Sequence, residues 1–202
     1  MKYNQRYRKS IRLRDYDYSQ CGAYFVTICT NNRICLLSNI TDGNLVLSEY
    51  GIIIQNTWNE LHKHYHNIDL DMFVVMPNHI HGIIFIIDNP VGAGFKPAPE
   101  MADNPMRAGL KPAPTKRHGL PEIVRAFKTF SARLINEIKQ ATGQPFWQRN
   151  YYEHIIRNDK ELYKIREYIH NNPLKWELDR ENPKSKNFNL HHDIYWKEIY
   201  GR

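Results

Sequence analysis

Long apolar runs are scarce in this sequence. The longest near its centre, GIIFII at 82–87, falls far short of the ~20 residues that span a bilayer, so no membrane association is expected. The opening segment, MKYNQRYRKSIRLR, is basic with no hydrophobic stretch behind it, which does not read as a secretory signal. Cysteine is sparse too. Cys21, Cys29 and Cys35 form no CxxC pair and cannot all pair internally, so a disulfide framework and a cysteine zinc site are not expected. Reduced thiols in a cytosolic protein fit better. Acidic residues are outnumbered, 21 Asp and Glu against 28 Lys and Arg, leaving a formal charge of +7. Such an excess points to a polyanionic partner, of which nucleic acid is the commonest.

Apolar residues make up 42% of the 202 positions, enough for one real core. We divide the chain into a basic arm (1–20), a domain (21–176) interrupted at 88–116, and a tail (177–202). The arm interleaves Lys2, Arg6, Arg8, Lys9, Arg12 and Arg14 with Tyr3, Tyr7, Tyr16 and Tyr18. Basic groups track phosphates and tyrosines stack on unpaired bases, although a disordered solubilising arm would look the same. The interruption holds two near copies, AGFKPAP (93–99) and AGLKPAP (108–114). Proline and glycine at that density oppose helix and ladder alike, so an exposed insertion with no part in the chemistry is expected.

CGAYFVTICT (21–30) reads as a buried strand, and TDGN (41–44) as a turn. Ile52, Ile53, Trp58 and Leu61 suggest a ragged helix between Ser48 and His66. DLDMFVVM (69–76) and HIHGIIFII (79–87) form a hairpin about a PN turn. Leu120, Ile123, Val124, Phe127, Leu134, Ile135 and Ile138 recur at helical spacing, with Pro121 in the first turn. Arg125, Lys128 and Lys139 lie off that stripe, placed to touch a phosphate backbone. FWQRNYYEHIIR (146–157) is the last strand. NDKELYKIREYIHNN (158–172) is the last helix, capped by Asn158 or Asp159 and ended by Pro173. The order strand, helix, strand, strand, helix, strand, helix predicts an α+β fold. It is a ferredoxin-like or RRM-like antiparallel sheet with helices on one face and an added C-terminal helix.

The chemistry-bearing stretch is MPNHIHGIIFI (76–86). Strand side chains alternate, so His79 and His81 share a face and Ile80 turns away. Two imidazoles that close either hold something between them, usually a metal, or are solvated residues at a strand end. On the last helix Leu162, Ile165 and Ile169 form the core stripe. Tyr168 borders it, Asn172 follows one turn on, and Tyr163 projects to the other side.

Several blocks, in order, resemble the REP-associated tyrosine transposases, a branch of the HUH single-strand transposases of bacterial insertion sequences. They are RKSIRLRDYDYSQCGAYFVTICTNNR, VVMPNHIHGIIF, LPEIVRAFKTFS and PFWQRNYYEHIIRNDKELYKIREYIHNNPLKW, together most of 8–176. The resemblance implies a transposase that cleaves and rejoins single-stranded or hairpin DNA through a covalent 5′-phosphotyrosine. His79 and His81 would bind a divalent cation, Mg²⁺ or Mn²⁺, and Tyr168 would be the nucleophile. Asn172 stands where relatives often carry a glutamine that completes the metal site. Glu153 or His154 is the fallback third ligand. Arg6, Arg8, Lys9, Arg12, Arg14, Arg125 and Lys128 are the expected DNA contacts, and palindromic repeat elements the expected targets. A monomer associated with the cytoplasmic nucleoid is implied. The alternative is a catalytically silent hairpin-binding module derived from such an enzyme.

Because long loops cost little closure entropy, replacing 88–116 by a short Gly/Ser linker should leave DNA cleavage unchanged. A gel assay of the deletion against the full chain checks this; a large loss in a stably folded deletion would give the insertion a role.

Overall fold

The computed structural model describes residues 13, 15–88 and 118–185. Most of the arm, the repeat insertion and the end of the tail therefore lie outside the described residues. Six strands and four α-helices are present among the described residues: β1 (Gly22–Cys29), β2 (Ser38–Thr41), β3 (Asn44–Leu47), α1 (Glu49–Asn59), α2 (Leu61–His64), β4 (Ile68–Val75), β5 (His79–Ile86), α3 (Leu120–Ile138), β6 (Tyr152–Ile156) and α4 (Asp159–Asn171). A 3₁₀ segment, Pro173–Leu178, follows α4.

The main sheet runs β4-β5-β1-β6 with every neighbour antiparallel. This is the ferredoxin-like order expected from the βαββαβ pattern. Beside it stands the β2–β3 hairpin, which the strand signals did not pick out. Its turn was legible: Asp42 and Gly43 both take positive φ, the conformation a two-residue hairpin turn requires. The other departures are at edges. The last strand is only Tyr152–Ile156, and Trp147 joins the sheet region through an isolated bridge to Thr30. The ragged helix is two pieces, α1 and α2, because Glu60 leaves the helical run between them.

β5 explains its own composition. It is a central strand, buried on both faces, so it reads as a continuous apolar run and not as an alternation. The even-numbered side of β1 and β5, with Tyr24, Val26, Ile28, Ile80 and Ile84, packs with Ile54 and Trp58 of α1 and Ile123, Val124 and Phe127 of α3. The odd-numbered side, with Ala23, Phe25 and Ile83, packs with Ile165 and Ile169 of α4. α1 and α3 thus share one face, and the added helix α4 takes the other.

Three of the apolar residues that marked these helices are exposed: Ile52 on α1, and Leu134 and Ile138 on α3. Of the α3 stripe, Leu120, Ile123, Val124, Phe127 and Ile135 are buried. Tyr18, read as a base-stacking candidate, is buried in the core, and the Tyr16 hydroxyl meets that of Tyr24 at 3.2 Å. The three cysteines are free thiols. Among the described residues no helix is long and apolar enough to cross a membrane.

At the centre of the first core, Trp58 stacks on Phe73 with centroids 4.5 Å apart and meets Phe127 edge-on at 5.5 Å. Gly82 lies directly beneath: a Cβ there would overlap the Trp58 indole. Gly82→Ala should therefore destabilise the fold by about 2 kcal/mol through overpacking, read as a lower midpoint in urea denaturation.

Candidate metal and nucleophile site

The pairing of β1 with β5 sets Thr27 opposite His81 and Cys29 opposite His79. Both imidazoles fall on the α4 face, near the end of β5 that leaves the Pro77–Asn78 turn. His79 is fully buried and His81 nearly so, which rules out two solvated residues at a strand end. Their Nε2 atoms are 3.0 Å apart. Each Nδ1 has its own partner at 2.8 Å: Asn78 Oδ1 for His79 and Thr27 Oγ1 for His81. Phe25 stacks on the His81 ring at 5.3 Å and closes the floor.

α4 delivers the tyrosine. Asn158 caps its start by accepting from the Glu161 N–H, and Ile165 and Ile169 seat its inner face. Tyr168, half-buried, then brings its hydroxyl to 3.3 Å from His81 Nε2 and packs edge-on against Phe25. Tyr163 points into solvent at 69% exposure, as helical phase requires. Asn172, at the end of α4, is buried, and its side-chain carbonyl oxygen has no hydrogen-bond partner among the described residues. Such an orphaned acceptor in a dry place is costly unless a ligand satisfies it.

One site residue had no signal in the sequence. After the 3₁₀ segment the chain folds back over His79, and the buried Asp179 carboxylate reaches 4.0 Å from His79 Nε2. His79, His81 and Asp179 together offer three ligand atoms within 4.8 Å of one another. The residues 177–185, read as tail, are therefore part of the site. The strap is fastened by Asn78 Nδ2, which donates to the Glu181 carbonyl at 2.6 Å, and by the Arg33–Glu181 ion pair at 2.8 Å. Trp176 lies 6.1 Å from the His79 ring.

The donor set fits a hard-to-borderline divalent cation. Burial, helped by the Arg33 guanidinium, pushes the His79 pKa down to about 3. The ring is thus held neutral, the form that binds metal, and its approach to Asp179 is not an ion pair.

The two fallback ligands are placed differently. Glu153 aligns with Val26 on the opposite face of the sheet. His154 shares the histidine face, but its Nε2 meets Glu161 Oε1 at 2.7 Å, and burial outweighs that carboxylate in lowering its pKa. Of the expected DNA contacts, Arg125 is exposed on α3, across the sheet from Tyr168. Lys128 differs from expectation: its ammonium donates to the carbonyls of Gln148 and Arg149, tying the loop before β6 to α3. Arg6, Arg8, Lys9, Arg12 and Arg14 lie outside the described residues.

The chain is similar to known proteins. Residues 113–172 match the family described as "Transposase IS200 like". An uncharacterised protein of Haemophilus influenzae is 40% identical over 184 residues, covering 89% of this chain and 96% of the relative. A second protein of that organism, described as a REP-associated tyrosine transposase, is 29% identical over 188 residues, covering 91% of this chain and 88% of the relative. Among solved structures, a REP-associated tyrosine transposase bound to a REP hairpin superposes with a TM-score of 0.52 at 20% identity, over 83% of this chain and 74% of that one. That likeness concerns the fold.

The depressed His79 pKa has a stability signature. Between about pH 3 and about pH 6.5 the unfolded chain binds a proton that native His79 refuses, so stability is full above this window and falls as pH drops through it. The slope for this one group is about 1.4 kcal/mol per pH unit. In chelator-containing buffer, moving from about pH 7 to about pH 5 should cost the parent protein about 2 kcal/mol that His79→Gln does not lose. Paired urea titrations measure the difference.

Proposed function

The chain belongs to the IS200-like transposases and is a homologue of the REP-associated tyrosine transposases; on that premise we propose that it cleaves and rejoins single-stranded or hairpin DNA with Tyr168 as nucleophile. The observation that carries the reading is the placement of the Tyr168 hydroxyl 3.3 Å from His81, beside a paired, neutral His79. In the reaction the phenolic oxygen forms a bond to the scissile phosphorus and its proton leaves to water at the half-buried rim. The bond from phosphorus to the leaving 3′-oxygen breaks and that oxygen takes a proton from water, giving a 5′-phosphotyrosine and a free 3′-hydroxyl. Rejoining reverses the step on a second strand and needs no nucleotide cofactor, because the bond energy stays in the phosphotyrosine.

His79 and His81 would hold Mg²⁺ or Mn²⁺, with Asp179 or the orphaned Asn172 oxygen completing the set. When bound, the cation supplies charge stabilisation to the phosphate and orients it for in-line attack. The protein's own contributions are separate. Phe25 and the packed α4 fix the tyrosine, the two hydrogen-bonded imidazoles fix the ligand nitrogens, and the strap from Pro173 to Asn182 limits water. Ligands and nucleophile come from one chain, which supports action as a monomer. Hairpin DNA is the proposed partner because the superposed relative was solved bound to a REP hairpin. The N-terminal Arg6, Arg8, Lys9, Arg12 and Arg14 would supply its phosphate contacts.

Tyr168→Phe removes one oxygen and leaves packing and charge intact. It should abolish cleavage of end-labelled hairpin DNA with Mn²⁺ while binding changes by less than about twofold. The parent protein should form a denaturant-resistant adduct that mass spectrometry maps to the peptide EYIHNNPLK. Normal cleavage by the variant, or an adduct on Tyr151, Tyr152 or Tyr163, would overturn the assignment. Hairpin binding with no adduct from either protein would favour the silent binding module.

A further inference from the structure

The hydrogen bonds around the two histidines form one chain whose direction can be worked out. Asn78 is completely buried in the turn before β5. Its amide nitrogen faces two backbone carbonyls, Arg33 O at 3.1 Å and Glu181 O at 2.6 Å. Carbonyls only accept, so the NH₂ group must be on that side and Oδ1 on the other. The backbone is pinned as well: the Asn78 carbonyl accepts from the N–H and the hydroxyl of Thr30. Oδ1 therefore presents a fixed acceptor at 2.8 Å from His79 Nδ1. With the ring neutral, Nδ1 carries the proton and Nε2 carries the lone pair.

That assignment propagates. His79 Nε2 has no proton, so the 3.0 Å contact between the two Nε2 atoms is a hydrogen bond only with the proton on His81 Nε2; the Tyr168 hydroxyl, 3.3 Å from the same atom, then meets it as an acceptor. His81 Nδ1 is then the acceptor, and the Thr27 hydroxyl donates to it at 2.8 Å. The two second partners thus differ in kind. An amide locked by two carbonyls can do only one thing, whereas a hydroxyl donates or accepts by rotating about its C–O bond.

We propose that Asn78 holds His79 permanently in its metal-ligating tautomer, while Thr27 permits His81 to change tautomer when a cation binds. This rests on the metal reading given above. In the metal-free protein His81 Nε2–H donates to His79; to free Nε2 as a ligand the proton moves to Nδ1, and Thr27 Oγ1 turns from donor to acceptor. Both are positioning residues. Asn78 also joins the ligand to the strap through the Glu181 carbonyl, so seating of the strap and orientation of His79 depend on one side chain.

Long-range ¹H–¹⁵N spectra of the full-length ¹⁵N-labelled protein read tautomers directly. Without metal, His79 should show Nδ1–H and His81 Nε2–H. Saturating Mg²⁺, which is diamagnetic, should invert His81 to Nδ1–H and leave the His79 tautomer unchanged. Mn²⁺ calorimetry supplies the second readout. Asn78→Ala should weaken Mn²⁺ binding at least about tenfold and mix the His79 tautomers; Thr27→Val should weaken it similarly with His79 unaltered. Should Asn78→Ala not fold, the parent spectra and Thr27→Val decide. A metal-free His79 protonated at Nε2, or a His81 that does not invert, overturns the proposal. If His79→Ala loses Mn²⁺ binding while Asn78→Ala and Thr27→Val bind like the parent, the metal reading stands and this inference falls. If His79→Ala binds Mn²⁺ like the parent, the metal reading itself falls, and this inference with it.

Discussion

The pairing of β1 against β5, with Thr27 opposite His81 and Cys29 opposite His79, is the constraint from which the candidate site is built. A strand shifted by one residue exchanges its faces, so a single-step slip would turn both histidines into the α1–α3 core and Ile80 onto the α4 face. The register is held because both faces are buried: Ile80 and Ile84 have one apolar layer to fill, and Ile83 another. Gly82 adds a steric lock, since only a residue without Cβ fits under the Trp58 indole. The apolar run beside the two histidines is what fixes where those histidines point.

Burying so many polar groups would be expensive if they were left alone, and almost all are partnered. His79, His81, Thr27 and Asn78 form a continuous hydrogen-bonded row, and Asn78 continues it to the strap. Neutrality of His79 is the electrostatic condition for this arrangement, because a buried imidazolium beside Arg33 would be strongly disfavoured. The Asn172 oxygen, at the end of the helix that carries Tyr168, is one of the buried atoms without a hydrogen-bond partner among the described residues. An unsatisfied acceptor is tolerated in native structures mostly where a ligand or ion supplies the missing partner.

The orientation of α4 follows from packing more than from charge. Ile165 and Ile169 bury against Phe25, Ile83 and Ile156, which fixes the helix rotation and so the direction of Tyr168. The Arg166–Asp71 pair, with two guanidinium nitrogens at 2.7 Å from one carboxylate oxygen, clips the outer side of α4 to the irregular part of β4. It is partly exposed, and such pairs contribute roughly 0–1 kcal/mol, so it aligns the helix without holding it. Tyr168 therefore inherits its placement from the sheet, as His79 and His81 do.

The alternation of strand side chains puts His79 and His81 on one face, and helical phase sets Tyr168 apart from Tyr163, whatever the tertiary structure. Both are local regularities with fixed periods, and they were legible together with the βαββαβ order and the Asp42–Gly43 turn. Which apolar positions of a helix are covered depends on what the helix meets in the fold, and Leu134 and Ile138 of the α3 stripe stay exposed. Lys128 looked like a phosphate contact because nothing local announces the Gln148 and Arg149 carbonyls beside it. Asp179 sits 98 residues after His81 in a stretch without periodicity, and Asn78 looked like a turn residue only. Their roles arise from where the strap after α4 comes to rest. By itself the sequence determined the order of the elements and the facing of the two histidines and the tyrosine, because those depend on backbone periodicity. Only the tertiary structure decided which groups complete and orient the site, because contacts between residues distant in the chain have no periodic trace.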